Sequence, residues 1–357
     1  MLLSFKIGEK VKRILKFLAL IIVFMLTLTT IVGCSQTPPG DGTETNPPES
    51  VIVTEPTEVV DCYAPLTLMS FNIRTVASES VAIRNWANRK NAVIKYINEQ
   101  DASVICMQEV KQSQYNDLNG GISGKYGLVY YGREGGSNPE GLAIAYEKSV
   151  WELKEQNRFW LSATPDTMSK GWGANYYRIC VNVLLRHRET GVFLKVFNVH
   201  LDHEVALARE NGMKLIMSKV NECGYPVYVA GDFNCTSTDT AYTVTAQELV
   251  DCQSSAPTTN YGRTYTGWSP ADAEEGNGSS IDFAFVSKEI MTPVSFKICR
   301  DKWASESGGI AFGEGKANFI SDHYAIKVNV LLVYKQDFKY PDKTDDGFDS
   351  ALDFVND

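Results

Sequence analysis

The chain has 357 residues, of which 44% are hydrophobic and 22% are charged, and this composition excludes a collagen-like or wholly disordered protein. Its formal net charge is −9 at pH 7. An acidic surface repels polyanions at long range, which argues against tight, non-specific binding of nucleic acid.

The first 33 residues have a pattern of their own. Residues 1–16 contain five lysines and arginines and one glutamate. An uncharged apolar run follows over residues 17–32, and Gly33-Cys34 comes next. This resembles a bacterial lipoprotein signal (residues 1–33), in which Cys34 receives lipid and becomes the new N-terminus. The alternative is an uncleaved membrane anchor, because the run is near the lower length limit of a span. Both interpretations place the rest of the chain outside the cytoplasm, and without the leader's +4 the charge is −13.

Low-complexity segments flank one predicted domain. Residues 34–62 carry the lipidated cysteine and a Pro/Thr-rich spacer with little to bury, which predicts disorder. Residues 336–357 form an acidic tail that we interpret as solvated. Calcium binding by residues 342–349 is the alternative, although the spacing lacks an EF-hand pattern. Residues 63–335 are the domain.

Strand and helix patterns alternate within that domain. Strand-like runs occupy residues 66–73, 102–107, 179–186, 192–201, 227–230, 281–286 and 324–333, and helical spacing of apolar residues covers residues 85–100 and 204–222. Glu189-Thr190-Gly191 predicts a hairpin turn between two of the strands. Strands joined both by hairpins and by helices indicate an α/β protein with two packed sheets and outer helices.

Polar residues stand where the apolar strands begin or end. The set comprises Asn72, Gln108, Glu109, His200, Asp232, Asn234, Asp282, Asp322 and His323. Neighbouring strand ends lie side by side, so these side chains can converge on one rigid site. Carboxylate and amide oxygens suit Mg²⁺ or Mn²⁺ better than zinc. Such a metal offsets the charge of a phosphoryl group, a carboxylate can activate water, and a histidine can protonate a leaving group. The set therefore predicts hydrolysis of phosphate esters.

The same residues carry a family resemblance. In order, Asn72, Gln108-Glu109, Asn198-Val199-His200-Leu201-Asp202-His203, Gly231-Asp232-Phe233-Asn234, Ser280-Ile281-Asp282 and Ser321-Asp322-His323 resemble the motifs of the endonuclease/exonuclease/phosphatase superfamily over about residues 66–332. Each motif is weak alone, but six in order are specific. The resemblance implies a DNase I-like fold, a four-layer α-β-β-α sandwich of two packed mixed sheets with outer helices. With its leader, the chain would be an exported lipoprotein member.

The resemblance also implies a role for each residue. It makes Glu109 the main ligand of Mg²⁺ or Mn²⁺, with Asn72 beside it as a ligand and substrate contact and Asp322 as a second carboxylate. Asp232 would position or deprotonate water, and Asn234 would orient Asp232 and the phosphate. Asp282 would hold His323 against the phosphate, with His200 across the scissile group.

Three further residues carry weaker expectations, each beside a plain alternative. Glu140 stands where the family often has an acid paired with the histidine at His200; the alternative is a solvated loop acid. Arg178 could clamp a phosphate oxygen or lie at a sheet edge. Trp268 resembles an aromatic residue at the rim of the site, where it could stack on substrate or simply pack. Ser280 replaces an arginine that is frequent in the family, which puts substrate detail in doubt.

These observations predict a metal-dependent phosphodiesterase or phosphatase in the cell envelope, anchored to the membrane through lipid on Cys34. Its substrate would be a small or carbohydrate-linked phosphate, a lipid head group or a nucleic acid, and no protein partner is implied. An extracellular nuclease is the first alternative, although no Lys/Arg-rich stretch accompanies the motifs. A non-catalytic binding protein is the second, and it would have lost part of the polar set, which is intact.

Overall fold

The computed structural model describes residues 61–268, 278–300 and 319–335. The predicted signal, the lipidation site Cys34, nearly all of the spacer and the acidic tail lie outside the described residues. None of the helices within the described ranges has the length and apolar character needed to cross a bilayer.

Twelve strands in the described ranges form two six-stranded sheets. They are β1 (Asp61–Asn72), β2 (Val104–Lys111), β3 (Tyr126–Gly132), β4 (Glu140–Glu147), β5 (Trp151–Trp160), β6 (Ile179–His187), β7 (Phe193–His200), β8 (Val227–Asp232), β9 (Leu249–Asp251), β10 (Asp282–Ser287), β11 (Met291–Cys299) and β12 (Ala325–Lys335). One sheet has the order β11-β12-β1-β2-β4-β3 and the other β5-β6-β7-β8-β10-β9. Each is mixed, since β1–β2 and β7–β8 pair in parallel and the other pairs are antiparallel.

Five α-helices accompany the sheets in these ranges: α1 (Trp86–Glu99), α2 (Gln112–Ile122), α3 (Ala206–Asn221), α4 (Thr240–Glu248) and the single turn α5 (Cys252–Ser255). A 3-10 turn at Ala82–Arg84 precedes α1. Buried residues of α1 and α2 join a core on the outer face of the first sheet, and those of α3 and α4 join one on the outer face of the second. The predicted four-layer α-β-β-α sandwich is therefore confirmed.

Alternation along the central strands explains why they are apolar throughout. In β1, Leu66 and Leu68 face the core between the sheets, whereas Met69 and Phe71 face the core under α1 and α2. A strand buried on both faces reads as a continuous apolar run, because successive side chains point to opposite faces. Because these strands are buried on both faces, we expect the polar residues of a functional site only at the strand ends.

A polar link crosses the core between the two sheets. Gln108 donates from Nε2 to Asn198 Oδ1 at 2.8 Å, and Asn198 donates from Nδ2 to the carbonyl oxygens of Met107 (2.9 Å) and Ala143 (2.8 Å). Both amide side chains are fully buried. Buried amides that hydrogen-bond from one layer to the other fix how the layers align, so this link holds the end of β2 beside β7.

Candidate active site

The polar residues at the strand ends meet because the sheet register aligns them. Asn72 at the end of β1 lies opposite Gln108 of the parallel strand β2. In the second sheet, Asp232 at the end of β8 lies opposite both His200 of β7 and Asp282 of β10. Hydrogen bonds along the strands fix these positions, so the cluster is rigid.

Asn72 lies at the centre of the cluster, between carboxylates of different sheets. Its Nδ2 donates to Glu109 Oε1 (3.1 Å) and to Asp232 Oδ2 (3.0 Å) and lies 3.4 Å from His323 Nε2. Its Oδ1 accepts from the backbone N–H of Arg74 at 3.0 Å. In this orientation Asn72 orients the two carboxylates as a donor. Its predicted role as a metal ligand stays a prediction, for which its oxygen would have to face the cation.

Glu109 occupies a strained backbone position. Its φ is +60°, and the pairing of β2 with β4 shifts register between Met107 and Val110. A non-glycine residue in this region costs free energy and persists where surrounding contacts hold it. The backbone N–H of Thr75 supplies one such contact, to Glu109 Oε2 at 2.9 Å. The bulge and this bond aim the carboxylate into the cluster.

The charges around Glu109 keep it ionised. Burial alone would raise the pKa of Glu109, but the charge of His323, the Thr75 N–H, Asn72 and Arg74 together lower it. Arg74 Nη1 lies 3.9 Å from Glu109 Oε2 and 3.6 Å from Asp322 Oδ2. Burial raises the pKa of Asp322 above its usual value, and Glu109 adds to the effect. Glu79 Oε1 lies 3.0 Å from Arg74 Nη2, so three carboxylates converge on one partly exposed guanidinium.

Asp232 is buried among other charged groups. Burial, together with the negative charge of Asp282, raises the pKa of Asp232 to about 7. Its Oδ1 accepts from the backbone N–H of Asn234 at 2.8 Å, whereas the Asn234 side chain donates to the carbonyl oxygen of Leu201 at 3.1 Å. The predicted orientation of Asp232 by Asn234 therefore comes from the main chain and not from the side-chain amide. A carboxylate with a pKa near neutrality matches what a general base needs.

His323 lies between two aspartates. Its Nδ1 is 2.9 Å from Asp282 Oδ2, and its Nε2 is 3.7 Å from Asp232 Oδ2. Burial alone would lower the pKa of His323, but Asp282 and Asp232 outweigh it and raise the pKa to about 10. The imidazole is therefore protonated at neutral pH. Asp282 holds it as the sequence resemblance implied.

His200 has the opposite charge state. Its Nε2 lies 3.6 Å from Asp232 Oδ2, so it reaches the same carboxylate as His323. Burial and the positive charges of Arg178 and Arg133 lower the pKa of His200 well below its usual value. One neutral and one protonated imidazole thus flank Asp232, and environments that separate two pKa values in this way separate acid and base roles.

Glu140 and Arg178 lie beside His200; Glu140 has a partner other than the predicted one, whereas the phosphate contact of Arg178 stays a prediction. Glu140 Oε1 is 2.9 Å from Arg133 Nη1, and no hydrogen bond or ion pair joins it to His200 in the described structure. This corrects the predicted Glu140–His200 pair, because the Glu140 carboxylate pairs with the guanidinium of Arg133 instead. Arg178 Nη2 lies 2.9 Å from His203 Nδ1, and its Nε lies 3.8 Å from Asp202 Oδ2.

The aromatic residue at the rim is not the one that the sequence indicated. Trp268 is only 8% exposed, and the guanidinium carbons of Arg84 and Arg89 lie 5.5 and 5.8 Å from its ring centroid. Trp268 therefore packs, which corrects its predicted place in substrate binding. Tyr265 is 45% exposed, with its ring centroid 5.0 Å from that of His323. Its only sequence signal was its place three residues before Trp268.

Several supporting residues were missed because their types are common anywhere. Arg89 is fully buried and donates from Nη1 to the carbonyl oxygens of Ile73 and Ile320. Ser321 donates from Oγ to the carbonyl oxygen of Asn72 at 2.7 Å. The hydroxyl of Thr264 accepts from the backbone N–H of Asp282 at 3.1 Å. These bonds hold the segments that carry the site, and no spacing rule predicts them.

The donor set fits a divalent cation. Ligand atoms of Glu109, His200 and Asp232 lie within 4.8 Å of one another, as do those of Asp232, Asp282 and His323. The second group is also held together by hydrogen bonding, since His323 Nδ1 lies 2.9 Å from Asp282 Oδ2. When Asp232 is ionised, the cluster has an excess of two negative charges. Its five carboxylates are Glu79, Glu109, Asp232, Asp282 and Asp322, and its three cations are Arg74, Arg89 and His323. Hard oxygens with this charge suit Mg²⁺ or Mn²⁺.

Fold and site together define a class: an α-β-β-α sandwich with a carboxylate–histidine cluster at the ends of its central strands. The sequence profile of the Endonuclease/Exonuclease/phosphatase family matches residues 69–323. The chain belongs to this family of phosphoester hydrolases.

Two solved bacterial structures are similar along almost their whole length. A protein of this family from Bacteroides thetaiotaomicron is 28% identical, with a TM-score of 0.69, covering 76% of this chain and 97% of that one. A mannosyl-6-phosphatase from Bacteroides thetaiotaomicron is 29% identical, with a TM-score of 0.66, covering 74% and 99%. Among curated proteins, the uncharacterized protein L388 of Acanthamoeba polyphaga mimivirus is 25% identical over 162 residues, 43% of this chain. The match spans about 60% of the length of that viral relative.

Proposed function

We propose that the protein hydrolyses phosphate esters with the help of a bound divalent cation, Mg²⁺ or Mn²⁺. The observation that carries this proposal is the convergence of Glu109, Asp232 and His323 around one amide, that of Asn72. Glu109 would hold the cation together with Asp322, and Asn72 joins them only if its amide turns. The cation would supply positive charge to a phosphoryl oxygen.

The protein's own side chains divide the remaining work. Asp232, with a pKa near neutrality, accepts a proton from the attacking water. His323 carries a proton on each ring nitrogen, donates one to Asp282 and presents the other to a phosphoryl oxygen. His200 is neutral and can donate to the phosphoryl group or the leaving oxygen. Attack by water fits better than covalent catalysis, because the set holds no nucleophile paired with a base.

A small phosphate ester, including a carbohydrate-linked one, is the proposed substrate. The acidic chain, −9 overall, disfavours a polyanion such as nucleic acid. The similarity to a mannosyl-6-phosphatase at 29% identity supports a sugar phosphate. Nuclease activity remains the competing outcome of the test.

We further propose that the enzyme works outside the cytoplasm, tethered by lipid on Cys34. The basic, apolar and Gly33-Cys34 sequence of the leader supports this location. Metabolic labelling with a clickable fatty acid should mark the wild-type chain and not Cys34→Ala. Labelling of both chains alike would reject the tether.

The decisive experiment is a substrate panel with the full-length chain. Hexose phosphates, a bis-aryl phosphodiester and plasmid DNA are tested with Mn²⁺, with Mg²⁺ and with EDTA. Hydrolysis of the small esters should vanish in EDTA and return with metal, and Glu109→Gln should lose it. Glu152→Gln, at an exposed glutamate of β5, is the matched control. Activity that persists in EDTA would reject the metal mechanism, and DNA nicking without turnover of small esters would favour the nuclease.

A further inference from the structure

A small cleft opens beside His200 on the side away from His323. It lies between the start of β4 and the start of β6, and its polar lining comes from Arg133, Glu140, Arg178 and His200. Because His200 Nε2 also lies 3.6 Å from Asp232, the cleft is continuous with the candidate catalytic cluster. The substituent of an ester whose phosphoryl group lies at Asp232 would reach the mouth of this cleft.

The cleft contains hydrogen-bond donors that the described protein leaves unused. The Arg178 side chain is only 6% exposed, yet its Nε and Nη1 have no hydrogen-bond partner among the described residues. Arg133 Nε likewise has no hydrogen-bond partner among the described residues. A buried donor without a partner destabilises the fold, and this arrangement is expected where a ligand supplies the acceptors.

The charges of the cleft are balanced, which decides the kind of ligand. Arg133 pairs with Glu140 at 2.9 Å, and Arg178 lies 3.8 Å from Asp202. Two guanidinium groups thus face two carboxylates beside a neutral His200. A second anionic group of a substrate would meet no excess positive charge here. Hydroxyl groups, which both donate and accept, match the combination of guanidinium donors and a carboxylate acceptor.

An aromatic ring lies next to these groups. Tyr176 is 42% exposed, and the guanidinium carbon of Arg133 lies 5.7 Å from its ring centroid. A tyrosine ring combines an apolar face with a polar tip. The apolar C–H face of a sugar ring could pack on it while the hydroxyls turn towards the arginines.

We propose that this cleft binds the leaving group of the substrate, and that this group is an uncharged, polyhydroxylated one such as a single pyranose ring. Arg133, Arg178 and Glu140 would bind its hydroxyls, and Tyr176 would cover one face of the ring. This inference rests on the proposed phosphoester hydrolysis, because it assigns the part of that substrate that is not the phosphate.

The test compares two substrates that differ only in their leaving groups. We measure kcat/KM of the full-length chain for a hexose 6-phosphate, for its deoxy analogues and for phenyl phosphate, which has no hydroxyls. Arg133→Met and Glu140→Gln should lower the ratio of the hexose value to the phenyl value by about tenfold or more, because sites built to bind hydroxyls discriminate strongly. Deoxy analogues should lose activity with the wild-type chain and lose little more with the variants.

The exposed ion pair of Arg186 and Glu152, 3.7 Å apart on the same sheet, gives the matched controls Arg186→Met and Glu152→Gln. Equal losses on both substrates for the Arg133 and Glu140 variants would overturn the inference while leaving phosphoester hydrolysis intact. Absence of any turnover by the wild-type chain would instead reject the proposed function. In that case calorimetric binding of the hexose 6-phosphate, weakened by Arg133→Met and not by Arg186→Met, decides whether the cleft binds sugar.

Discussion

At the scale of single residues, one amide and two histidines set the chemistry of the site. Asn72 binds carboxylates from both sheets, His323 is protonated between Asp282 and Asp232, and His200 is neutral. Burial lowers the pKa of both histidines, but Asp282 and Asp232 outweigh it at His323, whereas Arg178 and Arg133 add to it at His200. Their charges follow from these neighbours, so conservative substitutions of the neighbours should change the chemistry in a defined direction.

Asp232→Asn tests the assignment of the general base. The amide keeps the shape of the side chain but cannot accept a proton from water, so kcat should fall by roughly 10²- to 10⁴-fold. Affinity for Mn²⁺, measured by calorimetry, should change little if Glu109 is the main ligand. Asp166→Asn, at an exposed loop carboxylate, should behave like the wild type. A parallel loss of Mn²⁺ affinity would make Asp232 a metal ligand instead.

Asp282→Asn tests what holds the charge of His323. The pKa of His323 is raised to about 10 in the folded chain, above its ordinary value of 6.5, by Asp282 and Asp232 against the effect of burial. Its protonation therefore stabilises the fold fully below pH 6.5, and that stabilisation is lost as the pH rises through about 10. Removing the charge of Asp282 should bring the pKa down towards neutrality.

The measurement is the titration of the His323 ring signals by NMR in EDTA, which removes any effect of metal. The wild-type imidazole should remain protonated at pH 8 and Asp282→Asn should not. Alkaline unfolding should begin at lower pH in the variant. An unchanged His323 titration would show that Asp232 alone holds the proton.

At the scale of secondary-structure elements, the sequence predicted the central strands well because both of their faces are buried. The runs at residues 66–73 and 227–230 correspond to β1 and β8, and the helix predicted at residues 204–222 corresponds to α3. The helix α2 was not predicted, since Gly120 and Gly121 stand in its last turn and Gln114 is among its buried residues. Short strands such as β9 have too few residues to show a period.

The site was predictable as a set of residues but not as a set of contacts. Which residues converge followed from their places at strand ends. The partner of Glu140 could not be predicted in this way, because Arg133 directly follows the neighbouring strand β3 and belongs to no motif. Nor could the positive φ of Glu109, which depends on how β2 and β4 shift register. Contacts of this kind depend on tertiary packing, which spacing along the chain does not encode.

Arg89→Met should destabilise the fold, because Arg89 connects α1 to two segments that carry the site. Its guanidinium is fully buried and donates to carbonyl oxygens of residues 73 and 74, after β1, and of Ile320, before β12. Burial lowers the pKa of Arg89 to about 10. Removing such a group leaves buried acceptors unpaired and typically costs about 3–5 kcal/mol.

Urea denaturation followed by circular dichroism measures this cost. Arg186→Met, at an arginine whose side chain is 44% exposed, should change the free energy of unfolding by about 0.5 kcal/mol or less. A loss below about 1 kcal/mol for Arg89→Met would mean that water replaces its bonds.

At the scale of the whole molecule, the two sheets divide the work of building one site. The first sheet and its flanking segments supply Asn72, Glu109 and the Asp322–His323 pair, and the second supplies His200, Asp232 and Asp282. Neither sheet holds the complete cluster, so the site exists only when the sandwich is assembled. Anything that binds the cluster should therefore stabilise the whole domain.

This coupling predicts that a divalent cation raises the thermal stability of the full-length chain. The cluster carries an excess of two negative charges, and a ligand at 100 times its Kd stabilises the folded state by about 2.7 kcal/mol. In a domain of this size about 1 kcal/mol moves Tm by roughly 2–4 °C, so saturating Mn²⁺ should raise Tm by about 5–10 °C. Glu109→Gln should abolish the shift, whereas Glu152→Gln should keep it. Scanning calorimetry with Mn²⁺, with Mg²⁺ and with EDTA distinguishes these cases. An equal rise in the Tm of the wild-type and Glu109→Gln chains would mean that the cation binds elsewhere. Binding at the cluster that both sheets share should depend on the carboxylate of Glu109.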